Sequence, residues 1–383
     1  MGEHALLSAS GSKQWLNCPP SIRLTEHYPD KTSEYAEEGT LAHSICELKL
    51  RKTFEKMPKS TFAGRLKKLK ADPLYAEEMN EYTDAYHDYV YGIMLSYPVV
   101  PAIAIEKKLD YGHIAPEGFG TGDCIIRAGQ TLYVIDFKYG KGVPVSAVEN
   151  TQMMLYALGA LKEYELTNFF IKVKMVVFQP RLDDGISEWE CPVDGLIAWG
   201  ESIKPIAKRA FEGSGEFCAG EHCRWCKARP TCGTRANHYM ALEGFNKAVP
   251  PILSNDSIGE ILLKAEGLLA WVENLQEYAL AECLAGRQVK GWKAVEGRSN
   301  RKIINVESAY DNLIAHGIEK ALLWKTVPET MGEVEKLVGK KKFGELMVGY
   351  IEKPQGKPTL VVASDKREPF SATDLAQQFS SEP

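Results

Sequence analysis

Two neighbouring apolar runs constrain this chain most, because each carries charged residues in a segment that should be buried. The runs are GTGDCIIR, residues 120–127, and TLYVIDFK, residues 131–138. Both are rich in Val, Ile or Tyr, and Ala-Gly-Gln separates them, so the pattern predicts two paired β-strands. Side chains alternate between the faces of a strand. Asp136 and Lys138 should therefore point the same way, and Asp123 should arrive on the neighbouring strand.

Burying a carboxylate and an ammonium group costs several kcal/mol unless something binds them. Two aspartates and a lysine at adjacent strand ends are what a metal-dependent phosphodiesterase needs. The carboxylates can hold a divalent cation, and the lysine can orient or activate the attacking water. The two runs therefore predict a hydrolytic site at this end of the sheet.

Periodicity elsewhere predicts helices and strands that would surround these two runs. Further strands are predicted at 101–109, 169–178 and 187–192, and helices at 72–97, 148–164, 194–211 and 252–284. The helix at 148–164 carries Gln152 and Tyr156 on one face, and an earlier helix carries His43 and Glu47 on one face, since both pairs are four residues apart. This order of elements predicts an α/β core with a central mixed sheet flanked by helices.

The charge of the chain limits how it can contact nucleic acid. The 383 residues carry a formal net charge of −5, so contact must come from local basic stretches rather than from the whole surface. Two stretches qualify, Lys49–Lys70 and Gly286–Lys302. Each has two open interpretations: a phosphate-contacting surface, or a solvated helix face in the first and a charged hairpin around Trp292 in the second.

Apolar runs are too short to cross a bilayer, and the first residues lack the layout of a secretion signal. We therefore expect a cytoplasmic protein without membrane contact, whose thiols stay reduced.

Of nine cysteines, Cys223, Cys226 and Cys232 have the spacing C-x2-C-x5-C, and Cys218 lies five residues upstream. Such a cluster predicts a metal or iron–sulfur site, with zinc as the default for four local thiolates.

Taken together, these residues resemble the PD-(D/E)XK nuclease superfamily, in its RecB- and AddB-like iron–sulfur branch, and a phage- and prophage-associated family built on the same core. The resemblance covers residues 8–232. The early histidine of the family pattern matches His43 in GTLAH, the first metal aspartate matches Asp123 in GTGD, and the (D/E)-x-K motif matches Asp136 and Lys138 in IDFK. The Q-x3-Y motif matches Gln152 and Tyr156 in QMMLY. Each motif alone is weak, and their shared order is specific.

The resemblance implies a restriction-endonuclease-like core and a Mg²⁺- or Mn²⁺-dependent deoxyribonuclease. His43, Asp123 and Asp136 would hold the metal, with Glu47 as an outer contact, and Lys138, Gln152 and Tyr156 would complete the catalytic set. The expected reaction is exonucleolytic cleavage of single- or double-stranded DNA to 5′-phosphate products, in phage or prophage recombination or DNA processing.

The resemblance also implies a [4Fe–4S] cluster that fastens the N-terminal helix to the end of the core. Its ligands would be Cys223, Cys226 and Cys232 together with Cys18, which precedes a proline as in the family. Cys218 departs from the pattern and could replace Cys18, which would favour a local zinc site.

The expected domains are a nuclease domain at 1–245, a helical and basic accessory region at 246–353 and a tail at 354–383. A recombination or replication protein is the expected partner, and a homo-oligomer stays open. One alternative function is a DNA-binding or recombination-partner protein on a nuclease scaffold without significant cleavage. Another is a zinc-ribbon interaction module beside an unrelated α/β domain. Strand polarity, strand preference and exo- versus endonucleolytic action stay open.

Overall fold

The structure is a computed structural model, which describes residues 5–29, 34–140, 142–182, 185–241, 254–295, 303, 305–316, 318–324 and 330–351. Contacts divide the chain into two compact units, residues 1–282 and residues 283–383. The predicted boundary at 245/246 and the predicted tail at 354–383 lie outside the described residues.

The first unit is built on a five-stranded mixed sheet whose strands follow one another in chain order. The strands are β1 (Ala102–Asp110), β2 (Phe119–Ala128), β3 (Thr131–Phe137), β4 (Lys172–Phe178) and β5 (Ile186–Pro192). Neighbours are antiparallel except β3 and β4, which are parallel. The mixed sheet flanked by helices that the sequence predicts is confirmed.

Helices cover the sheet and connect its strands. Those of the first unit are α1 (Ser12–Asn17), α2 (Ser21–Thr25), α3 (Glu34–Phe54), α4 (Lys59–Lys70), α5 (Glu77–Leu95), α6 (Thr151–Tyr164), α7 (Val193–Glu212), α8 (Gly233–Met240), α9 (Asn255–Ala265) and α10 (Leu268–Leu284). Because a parallel pair needs a long crossover, α6 provides the connection from β3 to β4. The Asn150 side chain accepts from the backbone N–H groups of Gln152 and Met153 and so begins α6 next to the end of β3.

The two faces of the sheet bury separate apolar cores. One core joins the sheet to α1, α6 and α7 and contains Trp15, Val134 and Leu155. The other joins it to α3 and α5 and contains Ile45 and Tyr86, with further α5 tyrosines packed around it. Tyr82, Tyr86 and Tyr89 of α5 therefore serve core packing.

The regular alternation of side chains changes at Glu106 of β1 and Asp123 of β2. The ladder has no pairing between these two residues, although pairs on both sides keep one constant register. Glu106 has a φ of 49°, a conformation that costs a non-glycine residue about 1–3 kcal/mol. Ile105 and Leu109 would share a face in a regular strand, since they are four residues apart, yet they belong to opposite cores. The distortion brings both carboxylates close to α3.

The second unit contains short helices, which are α11 (Val306–Ala315), α12 (Lys320–Leu323), α13 (Met331–Val338) and α14 (Lys340–Leu346). Val289 and Trp292 form an isolated antiparallel bridge, and Gly291 between them has a φ of 82°. Residues 286–295 of the predicted basic stretch therefore contain a tight turn, which agrees with the hairpin interpretation. Residues 296–302 of that stretch lie outside the described residues.

Candidate active site

Asp136 and Lys138 lie together at the C-terminal end of β3, as the strand periodicity predicts. The Lys138 ammonium is 2.9 Å from Asp136 Oδ2 and donates a hydrogen bond to Oδ1 at 3.2 Å. The Gln152 side-chain amide at the start of α6 donates to the same Oδ1 at 3.3 Å. Asp136 is only 4% exposed, and its Oδ2 accepts no hydrogen bond from the described residues. One buried carboxylate oxygen thus keeps free acceptor capacity beside a lysine.

The charge of Lys138 is maintained by its neighbours. Burial alone would lower the pKa of this ammonium, but the attraction and hydrogen bond of Asp136, with a further contribution from Asp123, leave the pKa above its ordinary value. Lys138 is therefore a cation throughout the neutral range.

Tyr156 lies one helical turn after Gln152 and shares a hydrogen bond with it. Burial, followed by repulsion from Asp136, raises the pKa of Tyr156 to about 12, so its phenol stays neutral and can donate. A Cβ at Gly120 would lie 2.7 Å from the Tyr156 ring. The first glycine of the GTGD sequence, Gly120, is therefore required because the Tyr156 ring leaves no room for a Cβ, and not because of its backbone torsion.

His43, Glu106 and Asp123 form a second, adjoining group. Each offers a ligand atom within 4.8 Å of the other two, and within the described parts of the chain no other group of three His, Cys, Asp or Glu residues is this compact. His43 Nδ1 on α3 lies 3.4 Å from Asp123 Oδ2, which accepts the Phe137 backbone N–H at 2.8 Å. The structure thus joins predicted ligands His43 and Asp123 to Glu106, while Asp136 adjoins them without entering the compact group.

Sequence reasoning missed Glu106. Its position in the run PAIAIEKKL is compatible with an ordinary solvent-facing strand residue. The one signal for this ligand is an acidic residue on the strand that precedes the Asp123 strand. It indicates a position beside Asp123 only when the register between β1 and β2 is known.

Burial and the crowding of carboxylates raise the pKa values of Glu106 and Asp123. Burial, then the charge of Asp123, raises the pKa of Glu106 to about 8. Burial, then the charge of Asp136, raises the pKa of Asp123 above its ordinary range, against a lowering effect of His43. The folded chain therefore holds negative charges close together at a free-energy cost that a bound cation would relieve.

The predicted basic stretch Lys49–Lys70 has residues of different character. Lys49 is buried and donates to Asp84 at 2.6 Å and to the Asn80 carbonyl at 2.8 Å, so it is a structural residue rather than a phosphate contact. Arg51 donates to Glu47 at 2.7 Å and to the Ile105 carbonyl at 3.2 Å. Glu47, the predicted outer contact, is thus paired with Arg51 in this structure.

The predicted cysteine ligands Cys18, Cys223, Cys226 and Cys232 line one small pocket, where the loop before α2 meets the segment after α7. Burial raises the pKa of Cys226 most, a hydrogen bond with the Ala228 backbone lowers it, and the charges of Cys223, Cys232 and Cys18 raise it further. The structure thus brings the four thiols close to one another.

Cys218 lines the same pocket but differs from these four cysteines in its exposure and contacts. It is exposed, and its thiol donates towards the Ala219 carbonyl at 3.7 Å. Its backbone N–H instead donates to Cys18 Sγ at 3.3 Å. His222 is buried in the same segment and forms a hydrogen bond with Cys18. Cys218 therefore supports the position of Cys18 through its main chain.

Among the described residues, the cysteine sulfurs do not form a group as compact as that of His43, Glu106 and Asp123.

Within the described residues, no helix is both long enough and apolar enough to span a bilayer.

Comparison with known proteins gives a solved structure and a family. The solved structure described as "Crystal structure of SSO0001" shares 14% sequence identity with this chain, and the match covers 61% of this chain and 89% of the other, with a TM-score of 0.28. The family described as "Protein of unknown function (DUF2800)" matches residues 4–368. The chain therefore belongs to the DUF2800 family.

Proposed function

We propose that this protein is a divalent-metal-dependent deoxyribonuclease with a PD-(D/E)XK core. The observation that carries the proposal is the convergence of Asp123, Asp136 and Lys138 with His43 and Glu106 beside the C-terminal end of β3. These side chains come from β1, β2, the end of β3 and α3, which lie far apart in sequence. A purely structural cluster would not need the three crowded carboxylates of Glu106, Asp123 and Asp136 beside a charged lysine.

The donor set fits a hard divalent cation. Carboxylate oxygens and one imidazole suit Mg²⁺ or Mn²⁺. The pKa values of Glu106 and Asp123 are raised by burial first and then by repulsion from a neighbouring carboxylate, and a cation would relieve that repulsion. His43, Glu106 and Asp123 would hold the metal, with the free oxygen of Asp136 as a further ligand. Such an ion supplies charge neutralisation at the scissile phosphate and acidifies the water it binds.

Three other side chains have roles set by their own contacts. Lys138 presents a fixed positive charge that would stabilise the negative charge growing on the phosphate in the transition state. Gln152 holds Asp136 and links it to Tyr156. Tyr156, which stays neutral, would donate a hydrogen bond to a phosphate oxygen.

For the cysteine pocket we propose a [4Fe–4S] cluster held by Cys18, Cys223, Cys226 and Cys232. Two observations support it: these four cysteines line one pocket, and Cys218, which also lines it, is exposed with its thiol directed towards the Ala219 carbonyl. The cluster would link the N-terminal helices to the segment after α7. Closing so long a loop removes conformational entropy from the unfolded chain.

The test uses anaerobically purified protein with DNA labelled at either end, single- or double-stranded, and a covalently closed circle. Each is incubated with Mg²⁺, Mn²⁺ or EDTA. Lys138→Ala should lower the cleavage rate by at least ~100-fold. Lys162→Ala, which removes an exposed lysine of α6 paired with Glu165, is the matched control and should cleave normally.

The outcomes separate the proposed functions. Metal-dependent cleavage that requires Lys138 supports the nuclease, and resistance of the circle would make it an exonuclease. DNA binding without cleavage in any metal would refute the nuclease and favour the DNA-binding or recombination-partner function on the same scaffold. Zinc without iron in the purified protein would refute the cluster.

A further inference from the structure

A cleft between α3 and α4 lies beside the candidate active site. It has a volume of about 260 Å³. Its polar lining consists of Ser44, Glu47, Arg51, Arg65 and Lys68, on an apolar floor of two leucines. Three cationic side chains and one carboxylate therefore face the same space, which makes the cleft electropositive.

The cations of the cleft differ in how they are held. Arg51 is fixed by Glu47, Glu55 and the Ile105 carbonyl, so the single carboxylate of the cleft is already neutralised. Arg65 and Lys68 are exposed on α4 and form no ion pair or side-chain hydrogen bond with any residue the structure describes. They lie three residues apart, on one side of the helix. Two positive charges are thus available to an anion from solution.

The cleft is connected to the candidate metal group through named contacts. Arg51 donates to the carbonyl of Ile105, the residue before Glu106. Glu47 follows His43 by four residues of α3, a rise of about 6 Å, and its charge contributes to the raised pKa of Glu106. A nucleic-acid strand whose scissile phosphate reached His43 and Glu106 would therefore have a neighbouring phosphate near the cleft.

We propose that this cleft binds a DNA phosphate adjacent to the scissile one, with Arg65 and Lys68 as its direct contacts. The inference rests on the proposed nuclease function and names a phosphate subsite of that same site. The phosphate can be an internal phosphodiester or a terminal 5′-phosphate, and both present the anionic oxygens that arginine and lysine bind.

The test measures binding rather than cleavage. The full-length protein is titrated in EDTA with fluorescent single-stranded DNA over a range of salt concentrations, using strands with a 5′-phosphate and strands with a 5′-hydroxyl. Each phosphate contact on a single strand contributes about 0.7 to the slope of log affinity against log salt. Because Arg65 and Lys68 share one phosphate, the double variant Arg65→Ala/Lys68→Ala should bind roughly 10-fold more weakly and lose about 0.7 from that slope.

Lys59→Ala/Lys67→Ala is the matched control. It removes two exposed positive charges from the same helix without altering the lining of the cleft, and it should bind almost as wild type. A loss confined to 5′-phosphorylated strands identifies the terminal phosphate as the ligand, and an equal loss on both strands identifies an internal phosphate.

Two results would overturn the proposal. Equal weakening by the two double variants would show that α4 contributes only general charge. Unchanged binding by Arg65→Ala/Lys68→Ala would show that the cleft is not used. Because these titrations contain EDTA and need no turnover, either result can occur with a wild-type protein that cleaves DNA, so failure of the cleft is distinguishable from failure of the nuclease.

Discussion

Replacing Glu106 by glutamine removes one negative charge from the crowded group around Asp123. The pKa of Glu106 is raised to about 8, by burial first and then by Asp123, from an ordinary value of about 4.3. Between these two pH values the folded protein keeps a proton that the unfolded chain has released. The free energy of unfolding of the metal-free wild type should therefore fall as pH rises through this window.

The size of the effect follows from the pKa shift. At ~1.4 kcal/mol for each pH unit, the shift sets an upper limit of about 5 kcal/mol. Glu106 is only partly buried, and screening by water reduces the expected penalty to about 2 kcal/mol. In EDTA near pH ~8.5, above both pKa values, Glu106→Gln should therefore be more stable than wild type by about 2 kcal/mol, and near pH ~4 the two should be equally stable.

A divalent cation should reverse this order. Mn²⁺ binds the folded wild type and stabilises it by mass action, whereas Glu106→Gln lacks one carboxylate ligand and should bind Mn²⁺ at least ~10-fold more weakly. The measurement is urea unfolding of both proteins across this pH range, in EDTA and in Mn²⁺, with Mn²⁺ affinity from calorimetry.

Glu190→Gln is the control for this experiment. Glu190 is a surface carboxylate paired with Lys172, and its replacement should change stability by less than about 0.5 kcal/mol at every pH. If Glu106→Gln were less stable than wild type in EDTA at high pH, the carboxylate would not be under repulsion. If Mn²⁺ stabilised both proteins equally, Glu106 would not be a ligand.

Three further predictions concern other parts of the first unit. Gly120→Ala places a methyl group against the Tyr156 ring and should cost about 1–3 kcal/mol of stability and lower cleavage while Mn²⁺ affinity is retained; unchanged cleavage would contradict the role of Tyr156. Lys49→Met should leave DNA affinity and its salt dependence unchanged, and a reduced salt slope would show that this lysine contacts phosphate after all. Cys18→Ser should abolish the iron and acid-labile sulfide content of the purified protein, whereas Cys218→Ser should keep both; the opposite result would exchange their roles.

The secondary structure of the first unit was largely predictable because its signals are local. Runs of β-branched and aromatic residues predict each of the five strands to within a few residues, and period-two alternation places Asp136 and Lys138 on one side of β3. Period-3.6 patterns predict α6 with Gln152 and Tyr156 on one face. These features depend on residues within about one strand or helix of each other.

The site depends in addition on contacts that no local pattern contains. Glu106 reaches Asp123 only through the register of β1 and β2. The left-handed backbone conformation that interrupts their ladder falls on Glu106, and glutamate does not favour that conformation. Lys49 was part of a basic stretch in the sequence and became a buried ion-pair partner because α5 packs against α3. The cleft with Arg65 and Lys68 exists only because α4 also lies against α3.

The sequence by itself determined the sheet, the helices beside it and the order of the residues that could carry chemistry. The tertiary structure decided which of these residues meet: Glu106 with His43 and Asp123, and Cys18 with the three later cysteines in one pocket. The physical reason is that backbone periodicity follows from each residue's own steric preferences. Proximity between distant residues is set by how whole elements pack to bury apolar surface, and charged side chains take the positions that this packing leaves to them.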